Sequence, residues 1–448
     1  MLFSSLTFLL YFLPPVILIH RFLPRRAQNA FVLLASILFY GWGEPARLPL
    51  FFALLIVNWG GGLLIARSEK QARTLLIITL LIDLGTLIYY KYAAFILSAL
   101  GIGAIPPGTA TLPLGISFFT FQAAGYLIDV YRGDTVPETD PVSFGAFLFL
   151  FPQLIAGPIV RYDTLANALH AHRRPNAEAL EKGMGLFILG LSAKVLIANP
   201  LGALCDSAGA VGGDMGAAWL ALTAYSLQLY FDFMGYSVMA VGMGRMLGFS
   251  FPRNFDHPYA ARSVTDFWRR WHITLSQWFR DYVYIPLGGS RRGRARTFLN
   301  LLAVWLLTGL WHGADWAFLL WGLWYFIWLS LERLWSGRLP GAAARPLTIL
   351  IVMLGWAIFK SGSVFQLGRT FSDLFCLRSG GAALYHLENS LFPLIAALCL
   401  CVPAIHRLLR RVYARSPLLS AVGLMALLLL CVSALAGESY NPFLYFRF

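Results

Sequence analysis

Residues 417–436, PLLSAVGLMALLLLCVSALA, carry no charged side chain. About 20 apolar residues wound as a helix span the ~30 Å hydrocarbon layer of a bilayer. In lipid, only a helix or a closed barrel satisfies every backbone N–H and C=O. Runs of this kind recur from residue 3 to residue 436, with short polar loops between them. Taken together they predict about 11–13 transmembrane or re-entrant helices, an all-α polytopic integral membrane protein.

Composition agrees. Over 448 residues, 58% are hydrophobic and only 12% charged, against about a quarter charged in a soluble domain. The net charge of +14 would suit nucleic acid, but the basic residues sit in loops between spans. Clusters such as Arg21, Arg25 and Arg26, or Arg407, Arg410 and Arg411, are what the positive-inside rule produces. They place the basic loops in the cytoplasm and the N-terminus outside, with anionic lipid headgroups as neighbours. The first segment, MLFSSLTFLLYFLPPVILIH, lacks a basic start and a small-residue cleavage site, so it reads as a retained span. The five cysteines form no CxxC pair and read as small hydrophobes rather than metal ligands.

The spans alternate cleanly across the membrane except at 113–160 and 297–333. Each begins and ends near cytoplasmic-looking loops, as a hairpin would, or a helix that does not cross fully. Such backbone is tolerated at membrane depth only beside protein or a wet cavity.

One long polar stretch, 249–297, holds nine arginines against three aspartates. Within it Trp268, Trp271, Leu275, Trp278 and Tyr282 recur at steps of three and four. That period predicts a cytoplasmic amphipathic helix, with Arg270, Thr274, Gln277 and Asp281 on another face. Ser263 with Asp266 three residues on is a capping signal. Pro286 and Gly288-Gly289 end the element.

Three ionisable groups stand out. His312 lies in LLTGLWHGADW, between apolar runs. A buried imidazole is costly in a span and is the commonest general base near neutral pH. It reads as either catalytic or helix-packing, with the weight on catalysis. His272, in WRRWHITLS, reads by itself as packing. Asp232, in LQLYFDFMGYS, needs a cation, with Arg245 or the arginines of 253–280 as candidates, and serves either as a cavity charge or as a structural ion pair. Asp315 either orients His312 or caps the next helix. Walker A, GxGxxG, HExxH and GxSxG motifs are absent, and direct transfer with a base is simpler than a covalent enzyme intermediate.

Several runs together carry a family resemblance. LPLGISFFTFQAAGYLIDVYRG (112–133), FPQLIAGPIVRY (151–162), LYFDFMGYSVMAVGMGRMLGFSFPRNF (229–255), TDFWRRWHITLSQWFRDYVYIPLGGSRRG (265–293), LLTGLWHGADWAFLLWG (306–322) and NPFLYFRF (441–448) resemble the membrane-bound O-acyltransferases. The likeness is above all to the bacterial branch typified by the alginate O-acetyltransferase membrane component. It implies a single domain over 1–448, a ring of helices around a central funnel, in the bacterial inner membrane. It also implies an acyl donor, most simply acetyl-CoA, used from the cytoplasm without a metal. The acyl group would pass toward polysaccharide hydroxyls outside, with an extracytoplasmic hydrolase-like (SGNH-type) acetyltransferase as partner. His312 matches the family's intramembrane catalytic histidine and His272 its second histidine. Asp232, Arg269, Arg270, Gln277, Trp311 and Asp315 are then candidate substrate contacts. The family pattern FDFSGYSDMAIG reads FDFMGYSVMAVG here, so no role of an aspartate at 238 carries over. The competing classes are a transporter or flippase for a polysaccharide or lipid-linked sugar, and a non-catalytic scaffold.

Overall fold

The computed structural model describes residues 1–102, 112–155, 157–335, 341–378 and 380–437. The terminal run NPFLYFRF and most of the loop 99–111 lie outside the described residues. All regular elements among the described residues are helical, with no strand. Among the described residues five helices are long and apolar enough to cross a membrane: Pro45–Arg67, Ala72–Ala99, Ala177–Gly209, Gly341–Lys360 and Pro417–Ala436. A sixth candidate, Ala382–Asn389 with Leu391–Leu400, is bent by 72°. In Pro417–Ala436 only 11% of the apolar window is buried within the protein, as suits a helix facing lipid.

The chain forms two compact units, Met1–Phe187 with Ser237–Pro252, and Ile188–Tyr236 with Arg253–Phe448. In the first, helix Ile116–Arg132 is buried on nearly every side. It starts at Gly115, whose φ of 75° and close approach to the Leu154 carbonyl (2.6 Å from an added Cβ) exclude any side chain. Asp129 on this helix pairs with Arg161 at 3.2 Å. The next helix, Pro141–Leu148, has 8 residues, about 12 Å of rise, and cannot cross. The irregularity expected over 113–160 is therefore present.

In the second unit the irregularity expected over 297–333 is a helical hairpin. Its arms are Arg294–His312 and Trp316–Leu334, turning at Gly313–Asp315. The turn is built by Asp315, whose carboxylate accepts the Ala317 N–H at 2.8 Å, the capping role open to it in the sequence. The arms touch through glycines. A Cβ on Gly309 would overlap the Phe318 carbonyl, and one on Gly322 the Trp305 carbonyl, both rigid backbone. Gly309→Val is thus expected to cost at least the 1–3 kcal/mol of an overpacked core. A sharp fall in monodisperse protein by fluorescence-detected size exclusion would register it, with Gly309→Ala less severe.

The stretch read as one amphipathic helix is broken. Two short helices, Val264–Arg270 and Ile273–Phe279, meet at Trp271-His272 and run on into a π-helical turn, Arg280–Tyr284. Ser263 does cap the first, accepting the Asp266 N–H at 3.0 Å. Glu332, from the second hairpin arm, also accepts the N–H groups of Val264 and Thr265. Trp268 and Trp271 are buried: the tryptophan stripe packs into this unit instead of lying free along a membrane surface.

Candidate active site

His312 is the last residue of its helix and is 6% exposed. Its ring stands edge-on to three aromatics: Trp311 and Trp321, each with centroids 4.9 Å away, and Phe359 at 5.1 Å. Gly313 leaves the helix in an extended conformation, and an added Cβ there would overlap the Phe318 ring. Glycine at 313 therefore lets the chain turn directly beside the imidazole.

His272 sits at the break between the two short helices, with φ 44° and ψ 55°. This left-handed conformation is uncommon outside glycine, though histidine is among the residues that tolerate it. The ring is 1% exposed and packs edge-on to Phe233 at 4.8 Å. Burial alone pushes its pKa down to about 3, so the imidazole is neutral under physiological conditions. Trp311 lies between the histidines, 5.8 Å from His272 and 4.9 Å from His312, centroid to centroid. One indole thus contacts two buried imidazoles forty positions apart in the chain.

Asn254 organises the His272 break. Its side-chain oxygen accepts from Thr274 N–H (3.2 Å) and Thr274 Oγ1 (3.0 Å), and faces His272 Nδ1 at 3.2 Å. Its backbone carbonyl accepts the Ile273 N–H at 3.0 Å.

Asp232 pairs with Lys194 at 2.6 Å, the side chains 1% and 6% exposed. This corrects the arginine partner expected from sequence: the cation comes from the Ala177–Gly209 segment, on a π-helical turn, Ala193–Ala198. The helices approach closely because Gly235 lies against the Gly190 carbonyl, 2.6 Å from an added Cβ.

The remaining candidates are placed differently. Trp311 joins the histidines and Asp315 caps the helix after them. Arg269 and Gln277 are exposed, whereas both imidazoles are buried. Arg270 is engaged within its own helix, 2.7 Å from Asp266. Beside Gly313 and Ala314 opens a cavity of about 530 Å³, also lined by Asp206, Tyr225, Gln228 and Lys360. Lys360 donates to Cys205 Sγ at 2.8 Å. Among the described residues no group of three His, Cys, Asp or Glu side chains could hold a metal ion.

Sequence reasoning missed Lys194, Asn254, Trp321 and Phe359. Lys194, a lone cation in the apolar run FILGLSAKVLIA, did carry a signal. Asn254 carried none, since its role depends on residues 18 and 20 positions away.

A family model described as MBOAT, membrane-bound O-acyltransferase family, matches residues 138–364, a range holding both histidines and Asp232. The probable alginate O-acetylase AlgI of Azotobacter vinelandii is 41% identical over 390 residues, 84% of this chain and 78% of its own length. The protein of the same name from Pseudomonas putida is 36% identical over 488 aligned positions, covering 100% of both chains. A peptidoglycan O-acetyltransferase of Helicobacter pylori is 32% identical over 438, covering 87% and 82%. With its helical, multi-pass architecture, the chain belongs to the membrane-bound O-acyltransferase family and is an O-acyltransferase.

Proposed function

We propose that the protein moves an acetyl group from cytoplasmic acetyl-CoA toward hydroxyls of an extracytoplasmic polysaccharide, in the bacterial inner membrane. Alginate or a similar exopolysaccharide is the acceptor that its relatives' names favour, and an SGNH-type acetyltransferase outside completes the transfer. The observation that carries the reading is the convergence of His272 and His312 on Trp311, which gives one site a base and a second polar contact.

In this mechanism His312 takes the proton of an attacking hydroxyl, and the oxygen adds to the thioester carbonyl. The C–S bond then breaks, and the departing thiolate recovers a proton. His272, neutral, accepts a hydrogen bond rather than a proton. Trp311 supplies the wall between the two rings. The arginines between 253 and 296, on a cytoplasmic segment, attract the phosphates of the donor.

The test is donor use by the purified protein in nanodiscs. With acetyl-labelled acetyl-CoA and the extracytoplasmic partner, label is expected on the partner or on polysaccharide, with stoichiometric release of free CoA. Polysaccharide translocation without any acetyl transfer would overturn the reading in favour of a transporter.

A further inference from the structure

The amide of Asn254 has only one orientation compatible with its neighbours. The backbone nitrogen of Thr274 can only donate, so the Asn254 atom facing it at 3.2 Å is the oxygen. The same oxygen lies 3.2 Å from His272 Nδ1. Nδ1 must therefore carry the proton and donate, because two acceptors in contact would repel. In a neutral imidazole the other nitrogen is then a bare acceptor. That nitrogen, Nε2, is buried and has no hydrogen-bond partner among the described residues. A buried acceptor without a donor is costly, and here it belongs to a ring that shares Trp311 with His312.

We propose that Asn254 is a positioning residue for acyl transfer: it locks His272 with Nδ1 protonated and Nε2 free to accept a hydrogen bond from an O–H or N–H of the bound substrate. The inference rests on the functional reading above and gives His272 a definite role within it. Asn254 acts twice. Its side chain sets the proton position on the ring, and its backbone carbonyl, by holding the Ile273 N–H, fixes the left-handed turn that aims the ring. The low basicity of the buried imidazole fits an acceptor that never becomes imidazolium.

The charged and titratable groups on the elements packed around the ring are these. The helix of Phe233 carries Asp232, paired with Lys194, together with Tyr225, Tyr230, Tyr236 and Arg245. The helix of Trp311 carries His312, Arg294 and Arg296, and the segment after residue 252 carries Asp256, paired with Arg253 at 3.3 Å, and His257, Tyr259 and Arg262.

Nitrogen-15 NMR of histidine-labelled protein in nanodiscs reads the proton position directly, with His272→Gln identifying the resonances. The expected spectrum has His272 protonated at Nδ1, unchanged between about pH 5 and 8. Asn254→Leu removes the acceptor, so mixed tautomers are expected, with transfer slowed on the order of 10²-fold. Asn254→Asp keeps all three accepted hydrogen bonds and should fold, providing the test if the leucine variant does not. A carboxylate beside Nδ1 favours imidazolium and raises the ring's pKa, so transfer should fail at a higher pH on acidification than in the wild type. An Nε2-protonated ring in the wild type, or an unshifted acid limb in Asn254→Asp, would overturn the proposal. The NMR result needs no acyl donor. A wild type that shows the expected tautomer but never transfers acetyl would refute the functional reading alone.

Discussion

Replacing His312 with alanine is expected to lower acyl transfer by about 10²–10⁴-fold, the usual contribution of a positioned base. The loss should fall on kcat with donor KM little changed, because proton removal belongs to the transition state and not to donor binding. The ring also fills space between Trp311, Trp321 and Phe359, so truncation opens a hole as well as removing a base. His312→Gln separates the two effects: it retains volume and polarity but cannot act as a base near neutral pH. Equal inactivity of both variants, at wild-type yield and elution volume, would assign the loss to chemistry. Full transfer by either well-folded variant would remove His312 from the mechanism.

The second large effect concerns Lys194 and Asp232. Both side chains are nearly inaccessible, so the pair has given up its hydration. Removing one partner of such a pair typically costs 3–5 kcal/mol, since the other charge stays buried. Lys194→Ala should therefore destabilise the protein severely, seen as a large drop in thermal midpoint in detergent. Lys194→Met combined with Asp232→Leu should recover much of that loss, because apolar replacements of similar size are often neutral or better. If the double variant folds and still transfers acetyl, the pair is a strut. If it folds without activity, the charge serves the reaction, and the candidate role of Asp232 in substrate contact stands.

Some of this architecture is readable in the sequence because its causes are local. Asp315 lies two residues before the amide it caps, and Ser263 three before its own. The suspicion of a hairpin at 297–333 followed from loop charges alone. His312 declared itself as an ionisable group in an apolar run. Elsewhere the deciding partners are distant. Trp268, Trp271, Leu275, Trp278 and Tyr282 do follow helical spacing, yet the helix breaks at His272, where Asn254 supplies the acceptors that the preceding helical turn would have provided for Ile273 and Thr274. Asp232 found its cation 38 positions upstream on a packed neighbour, while two of the arginines expected from sequence, Arg253 and Arg270, are taken by Asp256 and Asp266. Periodicity describes a helix that is able to form; it is blind to a side chain that arrives from elsewhere to interrupt it.

The left-handed backbone at 272 also sorts the mutations that position can accept. Valine, isoleucine and the bulky residues meet a steric barrier there before any chemistry is weighed, whereas glycine and asparagine enter freely. At 312, on an ordinary helical backbone, nothing of the kind operates. The two positions are therefore constrained differently: at 312 the limit is set by the ring's packing against Trp311, Trp321 and Phe359 and by the chemistry proposed for it, while the backbone at 272 admits an amide without moving the chain around it.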